Sequence, residues 1–149
     1  MANFIGVLQT TEIALAASTV KTVLQLTAPA NHRLRLLRMK VSFDGISPTA
    51  EPAQVRLLRQ TSAGTMSSLN PVKQDNSLAE ALLSTGASNA TAEPTAGDVL
   101  DSVEVHPQSG YEVIYPYGQE PMVGGSGRLG IDIQCPSVVN VRALLVYEE

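Results

Sequence analysis

The sequence predicts an all-β protein, a jelly-roll-like sandwich of about eight or nine antiparallel strands with one short helix in a long connection. Three observations predict it. Apolar residues alternate with period two along most of the chain, which places alternate side chains on one face of a sheet. Proline and glycine, nine and eleven of the 149 residues, break the alternating runs into short pieces. Helical spacing occurs in one short stretch only, too little for the crossover helices that parallel strands need. The alternating faces are mostly Leu and Val with few aromatics, which suits two sheets packed face to face about 10 Å apart.

The elements follow in order. Short strands are expected near residues 4–8 and 12–16, so residues 1–18 read as an N-terminal arm or edge strands and residues 19–149 as one β-sandwich domain. V-K-T-V-L-Q-L (20–26) is a strand with Val20, Thr22, Leu24 and Leu26 on one face, stopped by Pro29 and Asn31. R-L-R-L-L-R-M-K-V-S-F (33–43) is the strongest signal. Leu34 and Leu36 share one phase and Leu37, Met39, Val41 and Phe43 the other, so the strand must carry a β-bulge at Leu36-Leu37. Pro48 and Pro52 bracket a loop before the strand at 54–60, with Val55 and Leu57 inward. From Thr61 to Gly97 alternation fails. There, S-L-A-E-A-L-L-S (77–84) has helical spacing and a capping-box pattern, Ser77 as N-cap and Glu80 at N3. Strands resume at Val99–Val105, Tyr111–Tyr115, Leu129–Cys135 and 138–147. T-A-E-P occurs at 49–52 and again at 91–94, each time before a strand, and reads as a reused loop motif.

Composition narrows function. Apolar residues make up 44% and mean hydropathy is +0.06, so the chain has the composition of a globular core without a membrane-spanning run. A chain of this length buries roughly 68–70% of its unfolded surface, enough for one core. The start, M-A-N-F-I-G-V-L-Q, lacks the charged and apolar regions of a secretory signal, and the single thiol, Cys135, fits a reducing compartment. Cys135 shares the face of Ile131 and Ile133 and is expected in the core. Charge is unevenly spread. Residues 1–74 carry eight Lys/Arg against three acids, net +5; residues 75–149 carry two against eleven, net −9. Six of the basic residues lie between Arg33 and Arg59. The halves are expected to neutralise each other within the domain or between copies. No aromatics interleave with the basic segment and the acidic half repels phosphates, so a nucleic-acid partner is not expected.

The catalytic and metal-binding patterns searched for are not found. His32 sits in P-A-N-H-R and His106 in V-H-P-Q, both strand-end turns, and the sequence holds neither GxSxG nor HExxH. Gly124-Gly125-Ser126-Gly127 lacks the Lys-Ser/Thr of a phosphate loop and precedes a strand, so it reads as a hairpin tip. Asp98 and Asp101 flank a strand without a calcium-loop pattern. No catalytic residue, metal or cofactor is therefore expected. The apolar N-terminus is a better candidate for work, because an apolar arm can add a strand to a neighbour's sheet. Phe4, Ile5, Val7 and Leu8 are expected first as interface residues, and Arg33, Arg35, Arg38 and Arg59 second.

Three stretches carry a resemblance. They are T-T-E-I-A-L-A-A-S-T-V-K-T-V-L-Q-L-T-A-P-A-N-H-R (10–33), V-S-F-D-G-I-S-P-T-A-E-P-A-Q-V-R-L-L-R-Q-T (41–61), and E-V-H-P-Q-S-G-Y-E-V-I-Y-P-Y-G-Q-E (104–120) with G-G-S-G-R-L-G-I (124–131). In these the chain resembles small virion structural proteins of tailed bacteriophages, of the capsid decoration or cement type. That resemblance implies a non-enzymatic β-rich module, trimeric in many cases, that stabilises the capsid by bridging major capsid subunits. Its partners would be the major capsid protein and further copies of itself, with no nucleic acid and no membrane. It would be made in the host bacterial cytoplasm and reside on the capsid exterior of the virion. Two alternatives stand beside it: a neck or tail component of the same virion, and a carbohydrate-binding jelly roll using Tyr111, Tyr115 and Tyr117.

Overall fold

The computed structural model describes residues 4–149 of the chain. Among them are thirteen strands: β1 (Ile5–Gln9), β2 (Ile13–Leu15), β3 (Lys21–Thr27), β4 (Arg33–Phe43), β5 (Ala53–Gln60), β6 (Thr65–Leu69), β7 (Val72–Lys73), β8 (Thr85–Ala92), β9 (Ala96–Val105), β10 (Gly110–Ile114), β11 (Met122–Gly124), β12 (Arg128–Gln134) and β13 (Val139–Glu148). One sheet has the order β10-β4-β13-β1-β7, with β11 also paired to β4 and β2 to β13; the other runs β6-β8-β3-β12-β5-β9. All pairings are antiparallel. The architecture is an all-β sandwich.

The core forms between the sheets because the inward phase of each strand is apolar. In β13, Val139, Val141, Ala143, Leu145 and Tyr147 are buried in strict alternation. Leu129, Ile131, Ile133 and the free Cys135 face them from the other sheet side of the core, all fully buried. Two glycines make room for the largest groups. A Cβ on Gly6 would lie 2.5 Å from the Tyr147 ring, and one on Gly86 would run into a Leu8 methyl. Each glycine thus admits a bulky side chain that any larger residue would displace.

The bulge expected in β4 is present. Tyr147 lies opposite Leu36 and Val146 opposite Arg38, leaving Leu37 as the extra residue. The phase switch puts Leu34, Leu36, Met39 and Val41 all in the core. A second bulge in β3 departs from the expected alternation. Leu24 lies opposite Ile131 and Thr22 opposite Asp132, so Val23 is the extra residue. Val23 and Leu24 are both fully buried, while Thr22 turns to the side of Asp132 rather than sharing the face of Leu24. On that outer side lies a polar layer. Gln25 Nε2 donates to Gln60 Oε1 (2.7 Å) and Gln60 Nε2 donates to Thr22 Oγ1 (3.0 Å). Glu93 accepts from Thr22 N (2.9 Å) and Thr22 Oγ1 (2.6 Å). Glu51, its counterpart in the T-A-E-P echo, is exposed, so the repeated tetrapeptide does two different jobs.

The expected helix at 77–84 is not formed; the described residues contain no helix. Asp75 Oδ1 accepts from both Ser77 N (2.9 Å) and Ser77 Oγ (2.6 Å), an Asx turn that takes the hydroxyl the cap required. Lys73 Nζ donates to the carbonyls of Leu78 and Glu80. The Glu149 carboxylate accepts from Leu83 N (2.7 Å) and Ser84 N (3.0 Å). Eight residues cannot offset the cost of helix nucleation, and side chains from β7 and the chain end satisfy this backbone instead. Strands β6, β7 and β8 fill the region where alternation failed. β8 reads T-G-A-S-N-A-T-A and is held between β3 and β6 by its backbone ladders rather than by an apolar face.

Candidate functional site

The predicted interface residues fall into distinct environments. The N-terminal segment is β1, and it is an interior strand. It pairs with β13 from Ile5–Glu148 to Gln9–Leu144, and with β7 at Gly6 and Val7. Phe4 extends this ladder, exchanging backbone hydrogen bonds with Glu149 at 3.1 and 2.8 Å. Leu8 is fully buried and belongs to the core. Ile5 (38% exposed) and half-buried Val7 lie on the opposite phase, and Lys73 Nζ sits 5.8 Å from the Phe4 ring centroid. The strand therefore completes its own sheet, and of the four apolar residues Leu8 is withdrawn from the surface.

The four arginines divide into two pairs. Arg35 Nη2 lies 2.7 Å from Glu148 Oε2 and Nη1 lies 3.7 Å from Glu120 Oε1, with the guanidinium 6.0 Å from the Tyr117 ring centroid. Arg38 Nε lies 3.4 Å from Glu112 Oε1. These are cross-strand neutralisations of the basic half by the acidic half. Arg56 and Asp132 make the tightest such pair, bidentate at 2.8 and 2.5 Å. Arg33 and Arg59 differ. They line one end of the sandwich together with Arg128, around a cavity of about 300 Å³ completed by Gln60, Thr61, Met122, Val123, Gly124 and Gly127. Arg59 Nη1 donates to the Met122 carbonyl (2.8 Å), tying β5 to β11 in the other sheet. Neither Arg33, Arg59 nor Arg128 has a carboxylate partner among the described residues.

Sequence reasoning missed Arg128. It lies far along the chain from Arg59, and only the β5–β12 ladder, with Gln60 opposite Arg128, brings it to the same end. The Gly124–Gly127 segment beside it is a tight turn, with Gly127 N bonded to Gly124 O at 3.0 Å and positive φ at Gly125 and Ser126. It joins β11 of one sheet to β12 of the other, so it is a crossing between sheets and not the tip of a hairpin.

The remaining candidates are held in local structure. His32 Nδ1 lies 3.8 Å from Glu149 Oε1, and His106 Nδ1 accepts from Gln108 N (3.1 Å) within a turn. Tyr111 and Tyr115 are half-buried against the core, and both hydroxyls donate to Asp101 Oδ2, at 3.0 and 3.5 Å. Burial first, then the Asp101 charge, raises the Tyr115 pKa; burial first, then the hydrogen bond to Asp101, raises that of Tyr111. Tyr117 alone of the three is open, at 91% exposure, so the tyrosines do not line a common groove. Among the described residues no three His, Cys, Asp or Glu side chains are grouped as a metal site. Comparison with protein-family models, with curated proteins and with solved structures returns no match.

Proposed function

We propose that this protein is a non-enzymatic virion structural component of a tailed bacteriophage, a capsid decoration protein with jelly-roll topology that braces neighbouring major capsid subunits as a trimer. The single observation that carries the reading is strand order. Eight strands taken in chain order, β1, β3, β4, β5, β9, β10, β12 and β13, fall as β1-β13-β4-β10 in one sheet and β3-β12-β5-β9 in the other. Every step along that series changes sheet except β5 to β9. That order supports a double Greek-key reading of the kind found in jelly rolls, a fold used by viral capsid and lectin domains. β7 extends the first sheet and β8 with β6 the second.

The resemblance of residues 10–33, 41–61, 104–120 and 124–131 to phage virion proteins supports the same reading, as does the chemistry of the surface. Three of the six basic side chains of β4 and β5, Arg35, Arg38 and Arg56, are matched internally, which ties the strands of each sheet to one another. Contacts to a shell would then come from outward residues such as Phe4, Ile5, Val7 and Arg33, each modest and repeated over the lattice. The lectin alternative would need a row of open aromatics, and Tyr117 stands by itself in that respect.

The test is quantitative electrophoresis of purified particles. A decoration protein is present in amounts comparable to the major capsid protein, and shells lacking it release their contents at lower temperature. A band far below capsid stoichiometry moves the protein to the neck or tail. Absence from purified particles ends the virion reading altogether.

A further inference from the structure

We infer that the end of the sandwich formed by β4, β5, β11 and β12 is a binding site for a phosphate group, held by Arg33, Arg59 and Arg128. This goes beyond the virion reading and does not depend on it. Three arginine residues line one cavity, and neither Asp nor Glu lines it with them. Elsewhere on β4 and β5 the arginines are matched: Arg35, Arg38 and Arg56 each face a carboxylate. The exception is therefore local to this end. Arg128 Nε is buried without a hydrogen-bond acceptor among the described residues; Arg38 Nε shares that state but lies 3.4 Å from Glu112 Oε1, whereas no carboxylate among the described residues pairs with Arg128. A partly buried cation without a counter-charge is costly, and an anion seated in the cavity offsets that cost. Arg59 is already held in place by its bond to the Met122 carbonyl, so part of the site is ordered before any ligand arrives.

Charge and shape select the ligand class. A single carboxylate would leave two of three positive charges unmatched. A phosphate dianion offers tetrahedral oxygens to several guanidinium forks at once, the geometry for which arginine is suited. With roughly 30 Å³ per water, a cavity of about 300 Å³ holds roughly ten waters, more than a bare phosphate fills. An ester substituent fits beside it, along Met122, Val123 and the side-chain-free wall of Gly124 and Gly127. A long polyanion does not fit the rest of the molecule. Residues 75–149 carry a net charge of −9 and would repel it. The ligand is thus a small phosphate, free or esterified.

The experiment is a ¹⁵N NMR titration of the whole chain with inorganic phosphate, against sodium chloride at matched ionic strength. Saturable shifts are expected at the amides of Thr61, Gly124, Gly125, Gly127 and Arg128, with a dissociation constant on the order of 1 mM. Arg128→Gln and Arg33→Gln are each expected to weaken binding about tenfold or more. Arg33 is exposed, so its variant folds even where the Arg128 variant does not. Arg142→Gln, on the exposed phase of β13, leaves binding unchanged. Adenosine monophosphate binding more tightly than phosphate supports the site with an esterified ligand; equal or weaker binding supports it with the free ion. Shifts that follow ionic strength whatever the salt, or phosphate affinity undiminished in both site variants, overturn the inference.

Discussion

Leu8→Ala separates a strand from an arm. Leu8 is fully buried in the core, on β1 between β13 and β7, with its methyls against the backbone of Gly86 across the sandwich. Truncation loses the transfer free energy of the removed carbons and leaves a cavity. The wall of that cavity at Gly86 has no side chain to collapse inward, so relaxation is limited. The expected cost is about 3–4 kcal/mol, within the usual range for buried leucine. For a chain of this size that lowers Tm by about 6–16 °C. Ile5→Ala, on the half-open phase of the same strand, should cost under about 1 kcal/mol. Urea unfolding followed by circular dichroism, with thermal melts alongside, measures both. Equal and small losses at Leu8 and Ile5 would refute the reasoning, because they would mean that residues 5–9 are not part of the cooperative fold. By the same argument, deleting residues 2–9 removes an interior strand and unfolds the protein, rather than stripping a binding arm from an intact one.

Three further outcomes follow from the packing and charges. Gly86→Ala drives a Cβ toward Leu8 and should cost about 1–3 kcal/mol. Combined with Leu8→Ala, it should cost less than the sum of the two single changes, since the smaller residue accepts part of the intrusion; strict additivity in urea titrations would show that the two do not touch. Asp132→Ala leaves the Arg56 guanidinium without its bidentate partner and should cost about 2 kcal/mol, whereas Glu112→Ala, at a more exposed pair, should cost less than about 1 kcal/mol. Burial pushes the Tyr147 hydroxyl up to about 12, while the unfolded tyrosine ionises near 10. Between those values the unfolded chain holds fewer protons than the folded one, so stability falls as pH rises, by up to about 3 kcal/mol from this residue. Tyr147→Phe should therefore flatten the alkaline limb of stability against pH above pH 10; parallel wild-type and variant curves there would count against the burial argument.

Legibility in the sequence tracked how much of a residue's role was set by its near neighbours. The long strands were legible because period-two alternation is a local signal, and the bulge at Leu37 was legible because the phase visibly slips there. The bulge at Val23 was not: V-K-T-V-L-Q-L alternates in one unbroken phase, with no visible slip, and Glu93, arriving from the end of β8, holds the Thr22 amide in the shifted register. β8 was invisible because its small polar side chains carry no periodicity, and its strand character comes from two neighbouring ladders. The 77–84 stretch had every local mark of a helix. It lost to Asp75, two residues before Ser77, and to Lys73 and Glu149, which reach it because β1 pairs with both β7 and β13. The same holds for the arginines. Their number was plain, but which were matched and which converged was not.

The amino-acid sequence by itself determined the class of the molecule, the phase of its long strands and the surplus of basic charge between Arg33 and Arg59. Each of these depends on residue types within a few positions of one another. Only the tertiary structure decided that the apolar N-terminus is an interior strand, that 77–84 is a strap without helix, and that Arg33, Arg59 and Arg128 share one cavity. Those depend on strand order and register. Such pairings join residues far apart in the chain, and their free energy is set by which partners meet rather than by any local preference.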